Sequence, residues 1–190
     1  MKDMYAEQNQ AYKEETMEIE RIYEGKVISL QKDKVTLPDG NTAFREVVKH
    51  PGAVAVLAIW QNQMVVVEQY RKALERSLIE IPAGKLDPGE QPMDAAMREL
   101  KEETGFECKE LRPICSFYTS PGFADEIIHL FLAEQLTQGE SRLDEDEFLN
   151  KQFLTLEQAK AYVAEGKIRD AKTITAIYAW ELYQKTGRMD

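Results

Sequence analysis

Between Gly84 and Phe106 the chain carries the spacing G-x5-E-x7-R-E-U-x-E-E-x-G-U, with U a bulky apolar residue, filled by Gly84, Glu90, Arg98, Glu99, Leu100, Glu102, Glu103, Gly105 and Phe106. Like charges four residues apart on a helix destabilise it by about 0.2–0.5 kcal/mol per pair, and Glu99 and Glu103 form such a pair beside Glu102. A cation must offset them. Arg98 reaches Glu102 at i+4 but is not expected to neutralise Glu99 and Glu103 as well. A hard divalent ion can do so, because Mg²⁺ takes oxygen ligands and is held by one or two carboxylates plus waters and substrate phosphates. Taken without the surrounding spacing, the same glutamates would be a solvated acidic helix face.

The elements that must position these groups are legible nearby. Pro92 suits the first turn of a helix and Gly105 the position just past its end, so the pattern predicts a helix over residues 92–104. Met93, Ala96, Met97 and Leu100 recur at i, i+3, i+4 and i+7, an apolar stripe expected to pack inward with the glutamates on the adjacent arc. Before it, VAVLAIW, a QNQ turn and MVVVEQY read as two core strands, and residues 77–82 as a strand running into the glycine loop. Strands are expected around residues 111–118 and 127–133, and helices over 159–164, after a Thr155-Leu156-Glu157-Gln158 cap, and 171–185. Residues 16–49 alternate like strands around a Pro38-Asp39-Gly40 turn. The order fits an α+β sandwich, a mixed sheet with helices on its faces.

Composition narrows the partners. The 190 residues, 43% hydrophobic and 31% charged, allow one sizeable core and a small appended segment. A net charge of −10, from 34 acidic against 24 basic residues, argues against an extended nucleic-acid partner, whereas small phosphorylated substrates stay compatible with metals and local arginines. Cys108 and Cys115 have no Cys/His cluster around them and read as reduced cysteines of an intracellular protein. Neither a signal-peptide core nor an 18-residue apolar run is present, which leads to the expectation of a soluble cytoplasmic protein with no membrane partner. His50 and His129 lack the companions of a zinc site or a Ser-His-Asp triad.

The spacing from Gly84 to Phe106 resembles the signature of the Nudix hydrolases, which cleave nucleoside diphosphates linked to another group using divalent metals. The resemblance implies the Nudix αβα sandwich for residues 50–190. It also implies that residues 1–49 form a β-rich segment that crosses onto a second subunit, for dimerisation and substrate binding in a homodimer. Pro121, in YTSPGFADEIIHLFLAE, lies 16 residues beyond Gly105, a placement similar to the ADP-ribose pyrophosphatase subgroup. EQYRKALERSLIEIPAGK before the signature and LDEDEF after it resemble the same subgroup.

By that resemblance, two or three Mg²⁺ or Mn²⁺ ions are held by Glu99, Glu103, Glu147 and the Ala83 carbonyl. Glu145 deprotonates the attacking water, with Asp144 and Asp146 competing with Glu145 and Glu147 for these roles, and Glu102 and Arg98 complete the catalytic set. Read physically, Arg98 and Glu90 orient the ligand carboxylates, since a guanidinium fork fixes a carboxylate rotamer. The acidic run 143–148 read alone is a solvated loop; the glycine and terminal glutamate spacing of an EF-hand calcium loop is absent. Arg45 from the partner subunit, Arg71, Lys85, Gly122 and Glu126 would bind substrate, although the three cations could equally be surface charges. Tyr23 stacks on adenine or fills a sheet face. The activity implied is hydrolysis of ADP-ribose to AMP and ribose 5-phosphate. The alternatives are hydrolysis of NADH, a nucleotide sugar or an oxidised nucleoside triphosphate, and a non-catalytic nucleotide-binding module.

Overall fold

The computed structural model of the chain describes residues 11–141 and 148–188. They fall into two units, of which the first comprises the described residues up to Pro51 together with Tyr118–Glu126. Strands β1 (Glu15–Glu24), β2 (Ser29–Thr36) and β3 (Thr42–Lys49) form an antiparallel meander in that order. The Pro38-Asp39-Gly40 turn joins β2 to β3: Gly40 adopts a φ of 84°, and the Asp39 carboxylate accepts the Asn41 N–H at 2.9 Å. Tyr118–Glu126 belongs with this sheet, where the Val48 N–H donates to the Phe123 carbonyl at 2.7 Å and Asp125 accepts the His50 N–H at 2.8 Å.

The second unit is built on β4 (Ala53–Trp60), whose sequence AVAVLAIW is apolar throughout because both of its faces are covered. Ala53, Ala55 and Leu57 enter one core, and Val54, Val56 and Ala58 enter the other. A two-residue turn with Gln61 and Asn62 at φ of 49° and 61°, the positive angles of a type I′ hairpin, leads into β5 (Gln63–Arg71). A 3₁₀ turn at Lys72–Leu74 precedes β6 (Arg76–Glu80) and the short β7 (Ala83–Lys85). Helix α1 (Pro92–Thr104) follows, then β8 (Phe106–Tyr118), β9 (Ile127–Gln138), β10 (Asn150–Leu154), α2 (Leu156–Ala164) and α3 (Ala171–Thr186).

The sheet is mixed, in the order β10-β5-β4-β9-β8, with β6 added to β5 and β7 to β4. β4 pairs in parallel with β9, from Ala53 opposite Ile128 to Ala58 opposite Ala133. Its pairing on the antiparallel side is divided. Ala53–Ala55 pair with β7, and Ile59 and Trp60 with β5. Ala95, Ala96 and Leu100 of α1 pack into one core; Ala159 of α2 and Ala176, Ile177 and Trp180 of α3 pack into the other. This is the αβα sandwich that the resemblance implied, with the mixed sheet and flanking helices that the order of elements suggested.

Two local signals read from the sequence hold in full, and one holds in part. Pro92 opens α1, and Gly105 closes it in the left-handed conformation at φ 74°, where an added Cβ would lie 2.7 Å from the Ser141 backbone nitrogen. Thr155 and Gln158 form a reciprocal capping box on α2. The apolar stripe points inward only in part: Ala96 and Leu100 are buried as expected, but Met93 and Met97 are 42% and 40% exposed, and Ala95, Glu99, Glu103 and Thr104 are buried in their place. Alanine side chains let the helix lie close on β4 and β7, and that approach carries the acidic arc inward with it.

Candidate active site

Arg98 is the hub of the acidic arc. Its Nε and Nη2 fork onto Glu90 at 2.9 Å each, its Nη1 donates to Glu99 at 2.7 Å and Glu102 at 3.1 Å, and Nη2 also reaches the Lys85 carbonyl at 3.2 Å. The expectation that Arg98 would leave Glu99 to another cation is therefore corrected. A guanidinium carries five donors in a planar fork, enough to serve three carboxylates when one of them arrives from the preceding loop. Glu90 above all, then Glu99 and Glu102, push the Arg98 pKa further above its ordinary value, with burial opposing them. Arg98 in turn holds the Glu90 carboxyl at about 2.

Gly84 leaves room for Glu99: a Cβ built there would lie 1.9 Å from the Glu99 carboxylate, so any larger residue must push that side chain away. One residue earlier, the Ala83 N–H donates to Glu103 at 3.1 Å. The backbone of β7 is thus pressed against both buried glutamates of α1, with Glu99 8% and Glu103 5% exposed.

A second charged cluster lies under the loop before Ala83. Arg71 forks onto Glu80, with Nε and Nη2 each 2.7 Å from a carboxylate oxygen. Glu80, 2% exposed, also accepts a hydrogen bond from Lys172. Burial pushes the Glu80 carboxyl up, and the two cations more than reverse it, leaving its pKa below the ordinary value. Glu80 and Lys172 did not emerge from the sequence reading. The signal was a lone glutamate inside the apolar run LIEIP, at a strand position too buried for an unpaired charge.

The remaining candidates are placed as follows. Arg45 is on β3, paired with Glu14 through Nε at 2.9 Å. Lys85 is exposed at the end of β7. Gly122 lies in the loop after β8, and Glu126 accepts a hydrogen bond from Thr119 at 2.6 Å, with His50 Nε2 3.7 Å away. Tyr23 is more than half exposed on β1. Asp144, Glu145, Asp146 and Glu147 lie outside the described residues.

Among the described residues no group of three or more His, Cys, Asp or Glu side chains converges as a complete metal cage. The donor set nevertheless fits a hard divalent ion that keeps waters and takes substrate phosphates: the Glu99 carboxylate lies against Gly84, and the Glu103 carboxylate accepts the neighbouring Ala83 N–H.

The Nudix domain pattern matches residues 49–177 of the chain. The chain belongs to the Nudix family. A Bacillus methanolicus protein named methanol dehydrogenase activator is 52% identical over 176 residues, covering 91% of this chain and 95% of its own. A Bacillus subtilis (strain 168) protein named ADP-ribose pyrophosphatase is 52% identical over 172 residues, covering 89% and 93%. A solved structure described as an ADP compounds hydrolase superposes with a TM-score of 0.81 over 93% of this chain and 97% of its own; at 21% identity it shows the shared fold. This Nudix chain is a hydrolase of nucleoside-diphosphate-linked substrates, and the family's mechanism depends in general on a divalent metal. Among the described residues no helix is long and apolar enough to cross a membrane.

Two outcomes follow from the Nudix site's geometry. Gly84→Ala displaces the end of a flexible side chain, so the fold is retained, while divalent-metal affinity falls about 10–100-fold, the usual effect of disturbing a ligand's support. Calorimetric metal titration alongside thermal melting checks this; unchanged affinity would remove Glu99 from the metal site. Glu90 is held at about 2 against an ordinary 4.5, so its stabilising contribution is present above about pH 4.5 and is lost as pH falls through about 2. Glu90→Gln is expected to flatten the fall in melting temperature across that window, and melting curves parallel to wild type would show that the Arg98 fork contributes nothing there.

Proposed function

We propose that the chain hydrolyses the pyrophosphate of ADP-ribose to AMP and ribose 5-phosphate, acting as a cytoplasmic homodimer with Mg²⁺ or Mn²⁺, two or three ions per site. The observation that carries this reading is the 52% identity with the Bacillus subtilis ADP-ribose pyrophosphatase over nearly the whole of both chains. Pro121, at its distance of 16 residues from Gly105, supports it.

Glu99, Glu103 and the Ala83 carbonyl, with Glu147, would hold the ions. Bound there, they would neutralise the diphosphate and acidify a water. Arg98 and Glu90 keep the Glu99 and Glu102 carboxylates in place, and Glu145 takes the proton of the attacking water. Arg71 and Lys85 meet the diphosphate, and Gly122, Glu126 and the partner's Arg45 contact the rest of the substrate. Tyr23 serves packing on the N-terminal sheet. The complete set Arg98, Glu99, Glu102 and Glu103 speaks against a non-catalytic module, which would have no use for it.

A second reading is favoured by the equal identity with the Bacillus methanolicus activator: the same hydrolytic site would act on another nucleoside diphosphate derivative and so activate a methanol dehydrogenase. A product assay with ADP-ribose, NADH, GDP-mannose and a nucleoside triphosphate, each with Mg²⁺ and with EDTA, separates the readings. ADP-ribose is expected to give the highest kcat/KM, with no product in EDTA. A much higher value for another compound would discard the ADP-ribose assignment and leave the hydrolase standing; stimulation of a methanol dehydrogenase on addition of the chain would support the second reading.

The homodimer rests on the N-terminal sheet. Met17, Ile19, Ile22 and Tyr23 of β1 and Phe44 of β3 are each more than half exposed, apolar surface on this sheet that a second subunit would cover. Arg45→Ala is expected to raise KM several-fold. Mixing it with Glu103→Gln is expected to regenerate some native sites by subunit exchange, whereas a monomer fully active at nanomolar concentration would exclude a shared site.

A further inference from the structure

The first turn of α3 reaches toward the proposed diphosphate site through a relay that contains no metal ligand. Asp170 caps the helix, its Oδ2 accepting the Thr173 N–H at 3.0 Å and the Thr173 hydroxyl at 2.6 Å. Its Oδ1 lies 3.0 Å from Lys172 Nζ, so the ammonium is itself anchored. Lys172, 7% exposed, donates onto the same Glu80 oxygen that accepts Arg71 Nη2. Arg71 occupies both Glu80 oxygens with one edge of its guanidinium, and its Nη1 makes no hydrogen bond among the described residues. The Arg71 side chain is 40% exposed and within electrostatic reach of Glu103.

The same helical turn also holds the backbone that leads to Gly84. Thr173 Oγ1 accepts the Ile81 N–H at 2.9 Å, and the Pro82 carbonyl accepts the Val56 N–H at 2.9 Å. A buried carboxylate with a single cationic partner can follow that partner's motion; one shared with a second, helix-anchored cation cannot. Fixing Glu80 in this way fixes the plane of the Arg71 fork, and an oriented guanidinium loses little freedom when it closes on a phosphate.

We propose that Lys172 is a positioning residue for substrate binding: it locks Glu80 so that Arg71 presents its outer guanidinium edge to the diphosphate shared by nucleoside-diphosphate substrates. This rests on the reading of Arg71 as a diphosphate contact. Lys172 touches no substrate and acts only through Arg71. Its effect therefore falls on binding, belongs to the diphosphate rather than to the sugar or base, and vanishes when Arg71 is removed.

The test is calorimetric binding of ADP-ribose in EDTA, alongside steady-state kinetics with Mg²⁺. Lys172→Met is expected to raise the Kd about tenfold and KM in parallel, with kcat changed less than threefold, and Lys172→Arg to recover most of the loss. On an Arg71→Ala background, itself weaker in binding, Lys172→Met is expected to add nothing. If Lys172→Met does not fold, the charge-balanced pair Glu80→Gln with Lys172→Met replaces it, and the same loss of binding is expected. Unchanged Kd in the folded variant, additivity with Arg71→Ala, or no effect of Arg71→Ala alone would each overturn the proposal. Should the wild type neither bind nor cleave ADP-ribose, that reading of its substrate fails, and the titration is run with whichever nucleotide of the assay panel is cleaved.

Discussion

Negative charge crowded at one end of a sheet is the constraint to which the rest of the Nudix unit answers. Glu80, Glu99 and Glu103 are buried, and Glu90 and Glu102 stand beside them. Taking a carboxylate out of water costs several kcal/mol unless charge and hydrogen bonds are returned to it. Two guanidinium forks supply much of that return: Arg98 serves Glu90, Glu99 and Glu102, and Arg71 serves Glu80 together with Lys172. Of these contacts only the Glu80–Lys172 pair is buried on both sides, and removing one partner of such a pair costs about 3–5 kcal/mol, so this contact bears directly on folding.

The architecture follows from bringing a helix that close to a strand. Ala95 and Ala96 have almost no side chain to hold α1 away from the sheet, and Gly84 has none to hold β7 away from Glu99. β4 makes room by dividing its antiparallel side between β7 and β5, so that Ala83, Gly84 and Lys85 all pair with β4 while Gly84 lies against Glu99 and the Ala83 N–H donates to Glu103. The loop between β6 and β7 would otherwise be the loosest part of this arrangement. It is held instead by the Thr173 hydroxyl on the Ile81 N–H, from a helix that follows it by some ninety residues.

Several features were legible in the residues alone because they are local. Pro92 and Gly105 bound α1, Thr155 and Gln158 cap α2, and Pro38-Asp39-Gly40 turns the N-terminal hairpin, each through backbone chemistry complete within a few residues. The spacing from Gly84 to Phe106 carried the family in the same way, since the acidic helix and its glycine loop are contiguous. The stripe Met93, Ala96, Met97 and Leu100 misled at its two methionines for a physical reason. Periodicity locates an apolar face, but the choice between packing methionines and packing alanines is made by how closely the neighbouring sheet can approach.

What the sequence determined by itself, then, is most of the elements, though not β10 (Asn150–Leu154) or the break between β6 and β7, together with the caps at Pro92, Gly105 and Thr155 and the identity of the acidic helix, all governed by interactions of short range. Tertiary structure alone decided that Arg98 reaches Glu90 and Glu99 as well as Glu102, that Glu80 is buried between Arg71 and Lys172, and that Tyr118–Glu126 packs with the N-terminal sheet. Lys172 and Glu80 are 92 residues apart, and Asp125 and His50 are 75. No local pattern encodes such pairs, because the energy that selects them exists only once the chain has removed both partners from water.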